Sequence, residues 1–184
     1  MKAKPPGQGS SSGPAAKTSG QQHRILSVLD DLIRVNIDRI TAYEKAAHEE
    51  RGSSGLEIRD VFYRLATESR SYVNDLHAEV IRLGGAPVTQ STIAGALYLH
   101  WLNGKVNFDG ETLTSLGEAC VHGEELVQQI YRNALDCGAL PKGLEQLVEG
   151  QLWSLERGHE RLVKAIEELG DMGDKAGGSP ASGV

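Results

Sequence analysis

Four long stretches of the chain repeat their large apolar residues at helical spacing, and no other feature of the sequence constrains the fold as strongly. In each stretch, apolar side chains recur every three or four positions, as in a helix with one buried face. No stretch alternates apolar and polar residues over the length of a strand, so we expect no sheet. The chain is therefore predicted to be all-α. The predicted helices run from about Gln22 to Glu50, Leu56 to Leu83, Gly110 to Cys137 and Pro141 to Leu169.

Residues that start and end helices stand at the boundaries of these stretches. Ser54 and Glu57 have the spacing of a capping box for the second helix. Asp109 is a suitable N-cap for the third helix, and Pro141 suits a first helical turn because its missing N–H is not needed there. Glycine is the commonest residue just past a helix end. One glycine follows each predicted helix, at Gly52, Gly84, Gly138 and Gly170.

The lengths of the three connections predict how the helices are arranged. The first and third connections are short, so each joins an antiparallel hairpin. The second runs from Gly84 to about Asp109 and contains a short amphipathic piece, Ile93 to Leu102. A connection of that length allows the second and third helices to run parallel. Two antiparallel hairpins joined by one long crossover with a short helix form the ferritin-like arrangement of a four-helix bundle.

The two ends of the chain differ in composition from the helical part. Residues 1–20 and 171–184 are rich in Gly, Ser, Pro and Ala and contain few large apolar residues. Such segments bury too little apolar surface to offset the entropy lost on ordering, so we expect disordered tails. The folded domain is predicted to span residues 21–170.

Charge and hydropathy exclude several classes of partner. The net charge is −6 and aromatic residues make up 5% of the chain, so neither a basic footprint nor a stacking surface for nucleic acid is present. No apolar run approaches the ~20 residues of a membrane span. Residues 91–108 contain one basic residue, which argues against attachment to a membrane surface through the crossover.

The two cysteines do not predict a disulfide. Cys120 and Cys137 are 17 positions apart on one predicted helix, which places them about 25 Å from each other. Both fall on the apolar stripe, so buried thiols are expected. With no targeting segment visible, we expect a cytoplasmic protein.

Glu156 and His159 supply one half of a metal-binding pattern. A di-metal site in a bundle needs one Glu from each of two helices and Glu-x-x-His from each of the other two. Glu156-x-x-His159 is one such motif, and Glu124 is a candidate from the third helix. The second helix has Glu68, but Ser71 stands where its histidine is required, and the first helix has Asn36 in place of a carboxylate. The partial set Glu124, Glu156, His159 and Glu68 predicts at most one site, for iron or manganese.

A second interpretation explains the polar centre without a metal. Asn36, Ser69 and His159 lie on the apolar stripes of three helices near the bundle middle. Buried polar side chains must be hydrogen-bonded, and such a layer can fix the register of the helices. The sequence leaves the metal site and the structural polar layer as alternatives.

Several short motifs together resemble a known family. They lie within residues 25–169 and comprise Asp38 with Tyr43, Leu83-Gly84-Gly85-x-Pro87, Gly95-Ala96-Leu97 with Trp101, Glu118 with Cys120, Gly123-Glu124, and Gln151 with His159. This set resembles a bacterial family of unknown function whose members are four-helix-bundle proteins in the ferritin-like superfamily. The resemblance implies the ferritin-like fold and supplies no activity.

The sequence favours a role in association over catalysis. No nucleophile–base motif, phosphate-binding loop or dinucleotide fingerprint is present. We therefore expect a non-catalytic bundle that self-associates, of a kind linked to stress responses. The alternative is a metal-binding oxidoreductase or iron-handling protein centred on Glu124, Glu156 and His159.

Overall fold

The structure, a computed structural model, describes residues 14–49, 56–91 and 113–177, with side chains from 19–48, 57–91 and 119–168. Helices α1, α2, α3 and α4 span Pro14–Glu49, Leu56–Arg82, Leu113–Asp136 and Lys142–Gly177. No strand occurs in these ranges, which confirms the all-α prediction. The predicted crossover helix at 93–102, the capping residues Ser54 and Asp109, and Gly52 lie outside the described residues.

Helices α2 and α3 are each followed by a glycine in the left-handed region. Gly84 has φ 75° and Gly138 has φ 64°, a conformation that other residues rarely adopt. At the start of α4, the Pro141 carbonyl accepts hydrogen bonds from the amides of Leu144 and Glu145, at 2.8 and 3.0 Å. The predicted turn chemistry is therefore present at these ends.

The contacts of α1 define the direction of its two neighbours. The Gln22 side chain donates to the carbonyl of Leu83, just past the end of α2, and Arg39 donates to Ser69 in the middle of α2. Residue numbers therefore rise along α1 as they fall along α2. On the α3 side, Asn36 is paired with Tyr131 and Arg39 with Glu124. Since α2 and α3 each run antiparallel to α1, they run parallel to each other.

The arrangement of neighbours completes a square bundle. Contacts join α1 to α2, α3 to α4, α1 to α3 and α2 to α4. Helix α4 returns antiparallel to α3 after a short turn. Two antiparallel hairpins with parallel middle helices form the predicted ferritin-like topology.

The outer helices extend beyond the predicted boundaries. Helix α1 begins at Pro14 and α4 continues to Gly177, so parts of the predicted tails are helical. Pro14 suits the first turn of a helix and the alanines that follow have the highest helix propensity. Gly170 lies inside α4, so its prediction as a helix stop was wrong. A glycine inside a helix costs only about 1 kcal/mol, which does not force an end.

Buried apolar residues form two clusters along the bundle axis. The first cluster lies where α2 and α3 end, and the second where they begin. The first contains Ile25, Leu29, Leu32, Ile33, Val35, Tyr72, Val73, Leu76, Val80, Tyr131, Ala134, Leu140, Leu144, Val148 and Leu155. The second contains Tyr43, Ala46, Ala47, Ile58, Phe62, Leu65, Ala66, Ala119, Cys120, Leu162 and Ile166.

The cysteines are both free, and they differ in exposure. Cys120 is buried as predicted, but Cys137 is exposed, so its predicted burial was wrong. Cys137 follows the last residue of α3, and its thiol donates to the Ala134 carbonyl at 3.0 Å. Within the described ranges, no helix has the length and hydropathy to cross a membrane.

Candidate functional site

A layer of buried polar side chains separates the two apolar clusters. In α1, α2 and α3 these residues fall between the last residue of one cluster and the first residue of the other. In α4 the member is Gln151, which is bonded to Tyr131 of α3. Its members are Asn36, Arg39, Ser69, Glu124, Gln128 and Gln151. This central layer is the candidate functional site, because buried polar groups in a core require a structural or chemical reason.

The centre of the layer is a buried ion pair between α1 and α3. Arg39 Nε donates to Glu124 Oε1 at 2.5 Å, and Arg39 Nη2 donates to Glu124 Oε2 at 3.1 Å. The two side chains are 2% and 1% exposed. This fork-like geometry is the strongest arrangement for an arginine–carboxylate pair. Both oxygens of Glu124 are therefore occupied by one guanidinium.

Two hydroxyl groups complete the surroundings of this ion pair. The Tyr43 hydroxyl donates to Glu124 Oε1. The Ser69 hydroxyl accepts a hydrogen bond from Arg39 Nη1 at 2.7 Å and donates to the Leu65 carbonyl at 3.0 Å. The guanidinium also lies 5.3 Å from the centre of the Tyr43 ring. Residues of α1, α2 and α3 thus satisfy both charges without solvent.

The surroundings fix the protonation states of ionisable groups in the layer and next to it. Burial and the negative charge of Glu124 raise the pKa of Tyr43 well above its ordinary value, so the phenol stays protonated. Burial, followed by Glu124, raises the pKa of Cys120 to about 12. Burial acts to lower the pKa of Arg39, but the attraction and hydrogen bonds of Glu124, together with the nearby Tyr43 and Tyr72, outweigh it and the pKa is raised. Arg39 is therefore a permanent cation at the bundle centre.

A second hydrogen-bonded group lies one turn away along α1. Asn36 Nδ2 donates to the Tyr131 hydroxyl at 2.7 Å and to the Leu32 carbonyl at 2.8 Å. The Tyr131 hydroxyl donates in turn to Gln151 Oε1 at 2.9 Å. This group connects α1, α3 and α4, so the layer reaches all four helices.

The carboxylates that the sequence offered as metal ligands are each bonded to a different arginine. Besides the pair at Glu124, Arg132 Nη2 donates to Glu156 Oε1 and Arg161 Nη2 donates to Glu68 Oε1, both at 2.7 Å. These two pairs are partly exposed, on the seams between α3 and α4 and between α2 and α4. Each of the three carboxylates is therefore already paired with a guanidinium.

His159 takes no part in these pairs. It is half-buried, and its Nδ1 atom is buried without a hydrogen-bond partner in the described part of the chain. Among residues whose side chains are described, no three His, Cys, Asp or Glu lie close enough to hold a metal. The described structure therefore does not bring three of Glu124, Glu156, His159 and Glu68 together as a cluster of ligands.

Two of the three residues predicted for the polar layer, Asn36 and Ser69, belong to it in the structure. Asn36 and Ser69 are fully buried and bonded to Tyr131 and Arg39, whereas His159 is bonded to neither group. Arg39, which forms the centre of the layer with Glu124, was not predicted from the sequence. Its position in the sequence could have indicated its burial. Arg39 follows Asn36 by three residues and precedes Tyr43 by four, which places all three on the same face of α1.

Gly158 allows α4 to approach the ion pair closely. A Cβ atom at this position would lie 2.9 Å from a methyl group of Leu65 and 3.4 Å from Arg39 Nη2. Its hydrogen-only side chain thus leaves the space that the guanidinium occupies.

Comparisons with known proteins agree with this fold. A family model described as a domain of unknown function (DUF2383) matches residues 24–137. No curated protein matches the chain. The structure of Dps from Thermosynechococcus elongatus is 15% identical, with a TM-score of 0.63 over 80% of this chain and 93% of that one.

A second solved structure is similar to the same extent. It is a dodecameric thioferritin, the bacterioferritin-related protein from Bacteroides fragilis, and is 16% identical. The match has a TM-score of 0.66 and covers 85% of this chain and 94% of that one. At these identities the likeness establishes the fold alone, which is the ferritin-like four-helix bundle.

Proposed function

The chain belongs to the DUF2383 family, and from that premise we propose that it is a non-catalytic ferritin-like bundle of the cytoplasm that acts through self-association. The observation that carries this proposal is the pairing of Glu124, Glu156 and Glu68 with three arginines. In a ferritin-like bundle, carboxylates at the centre are the positions that hold metals. Here arginine side chains supply the compensating positive charge.

The central layer supports a structural role for these residues. The three pairs connect α1 with α3, α3 with α4, and α2 with α4. Moving any one of these helices by a turn, about 5.4 Å, would separate an arginine from its carboxylate. Buried polar contacts that disfavour other registers can specify a single packing. The layer thus keeps the helices in one register, as a scaffold requires.

Exposed apolar side chains support self-association. Large apolar residues are usually buried on folding, so those left on the surface are candidates for contact with another chain. The structural neighbour from Bacteroides fragilis is described as dodecameric, which shows that this fold is compatible with assembly. The exposed residues and their exposed fractions are Ile81 63%, Trp153 60%, Leu126 52% and Tyr63 49%.

Light scattering on the untagged full chain tests the proposal directly. We expect a mass that is a multiple of one chain, and a shift toward one chain in at least one of the variants Ile81→Ser, Trp153→Ser, Leu126→Ser and Tyr63→Ser. Gln129→Ser, an exposed polar position on α3, is the matched control and should leave the mass unchanged. A mass of one chain at about 100 μM, well above the Kd of a specific micromolar interface, contradicts the proposal.

The second candidate function is binding of iron or manganese by Glu124, Glu156, His159 and Glu68. It is favoured by two buried atoms without a partner in the described residues, His159 Nδ1 and Glu68 Oε2. Binding would require Glu156 and Glu124 to leave their arginines. Metal analysis after loading with iron or manganese decides between the two functions, since a competent site fills near stoichiometry. Less than about 0.1 metal per chain excludes this candidate, whereas a stoichiometric site lost in His159→Ala establishes it.

A further inference from the structure

Three buried amides of the central layer, Asn36, Gln128 and Gln151, each have one polar atom without a partner in the described residues, and Asn36 and Gln151 are bonded to the same hydroxyl group. Asn36 is 0% exposed and Gln151 is 4% exposed. Their atoms without a partner are Asn36 Oδ1, which accepts hydrogen bonds, and Gln151 Nε2, which donates them. Buried polar atoms in folded proteins are nearly always paired with protein or with an ordered ligand. These two atoms therefore indicate a binding position.

The two amides are neighbours because they share one hydroxyl group. The oxygen of Tyr131 accepts from Asn36 Nδ2 at 2.7 Å and, through its proton, binds Gln151 Oε1 at 2.9 Å. One unpaired atom accepts and the other donates, so they are complementary toward a single small molecule. That molecule must donate to Asn36 Oδ1 and accept from Gln151 Nε2.

Rotating either amide group by 180° does not give its unpaired atom a hydrogen-bond partner. Each amide has one atom bonded to Tyr131, so exchanging its nitrogen and oxygen changes which atom is unpaired without pairing it. For Asn36 the exchange would also break the hydrogen bond from Nδ2 to the Leu32 carbonyl, which is 2.8 Å long. The orientation of Asn36 is thus fixed by the backbone of α1.

We propose that this position, between the Asn36 and Gln151 side chains beside Tyr131, is an internal binding site for one ordered water molecule. Water is the smallest ligand that both donates and accepts, and buried waters commonly make about three hydrogen bonds to such groups. The site has no net charge, because its lining consists of two amides and a phenol. Arg39, about one turn further along α1, is already bound by both oxygens of Glu124. A neutral ligand therefore fits this site better than an ion.

A crystal structure of the full chain, at a resolution that shows ordered solvent, tests the site without any mutation. We expect one water-sized peak within hydrogen-bond distance of both Asn36 Oδ1 and Gln151 Nε2. Direct contact of the two atoms with other protein groups overturns the proposal, as does density larger than one water.

Solution measurements of slowly exchanging water provide an independent readout. Oxygen-17 magnetic relaxation dispersion counts water molecules held inside a protein. Gln151→Leu should lower this count by one relative to the natural chain, and Gln129→Leu, at an exposed glutamine on α3, should leave it unchanged. Gln151→Ala tests the opposite direction, because the smaller side chain enlarges the site and should raise the count. Equal counts in all chains contradict the proposal.

Discussion

We expect Arg39 to contribute more to the free energy of unfolding than the partly exposed arginines do, because its charge is buried. The guanidinium is almost completely buried, and it satisfies Glu124 while receiving support from Ser69 and Tyr43. Removing one partner of such a pair leaves a buried charge without compensation, which costs about 3–5 kcal/mol. Replacing both partners by apolar groups costs much less, and this difference defines the first prediction.

We expect Arg39→Met to lower the free energy of unfolding by about 3–5 kcal/mol, and Arg39→Met with Glu124→Leu to be more stable than Arg39→Met alone. The measurement is urea unfolding of the single and double variants, from which the coupling free energy follows. Arg161→Met is the control, because its pair with Glu68 is partly exposed and should contribute under about 1 kcal/mol. Equal losses in Arg39→Met and Arg161→Met would disprove the central role of Arg39.

The buried phenol and thiol beside Glu124 make stability depend on pH in the alkaline range. The pKa of Cys120 rises from 9.0 to about 12 on folding, and the pKa of Tyr43 is raised as well. Their protonated forms are favoured in the native state, so this stability is fully present below the unfolded pKa. It decreases as pH rises from the unfolded toward the folded pKa, because only the unfolded chain ionises there.

We therefore expect the free energy of unfolding to fall between pH 9 and pH 12, with Cys120 contributing about 1.4 kcal/mol per pH unit. Urea unfolding at several pH values gives the slope. Cys120→Ala should reduce the slope, whereas Cys137→Ala, at an exposed thiol, should leave the decrease unchanged. A slope that is the same in the natural chain and in Cys120→Ala contradicts this assignment.

At the scale of the helix, two glycines of α4 have opposite surroundings. Gly150 has no heavy atom within 4 Å of the position of a Cβ, whereas a Cβ at Gly158 would lie 2.9 Å from a methyl group of Leu65. Alanine inside a helix is favoured over glycine by about 1 kcal/mol when nothing obstructs it. The two positions therefore separate helix propensity from packing against the ion pair.

Gly150→Ala is expected to raise the free energy of unfolding by up to about 1 kcal/mol. Gly158→Ala should lose this gain and be less stable than Gly150→Ala, because Leu65 and Arg39 must shift to admit the methyl group. Thermal and urea unfolding of both variants provide the comparison. If Gly158→Ala is stabilised as much as Gly150→Ala, the close approach of α4 has no energetic role.

The helices were predictable from sequence to the extent that burial controls them. The apolar period located all of the long helices, and the glycines at 84 and 138 ended two of them as predicted. The resemblance to a ferritin-like family of unknown function is confirmed by the family match. The extra turns of α1 and α4 were missed because these parts of the sequence carry no apolar stripe to detect.

The central layer was only partly predictable, for a different physical reason. Periodicity placed Asn36 and Ser69 inside, because their neighbours on the same stripe are apolar. It could not assign partners, because a hydrogen bond between helices depends on the height of each side chain in the bundle. Glu124 was consequently interpreted as a metal ligand, although Arg39 lies close enough to bind both of its oxygens.

At the scale of the whole molecule, the polar layer divides one bundle into two apolar clusters. Leu29 lies in the first cluster and Leu162 in the second, and both are fully buried. Leu→Ala at either position should lower the free energy of unfolding by about 2–5 kcal/mol. Because the clusters are separated by the layer, the double variant should equal the sum of the single variants within about 0.5 kcal/mol.

Urea unfolding of the three variants tests this additivity. Leu29→Ala combined with Leu32→Ala, two residues of the same cluster, is the matched comparison and should deviate from the sum because neighbours share a cavity. A deviation of similar size across the layer would show that the clusters behave as one core.

The division also affects how sequence change can accumulate in this chain. Apolar substitutions at one end can be compensated by nearby residues at that end, without adjustment at the other. The layer itself has less such freedom, because the buried guanidinium of Arg39 binds both oxygens of Glu124 and the Ser69 hydroxyl. We therefore expect substitutions to be tolerated more readily in the two apolar clusters than in the polar layer between them.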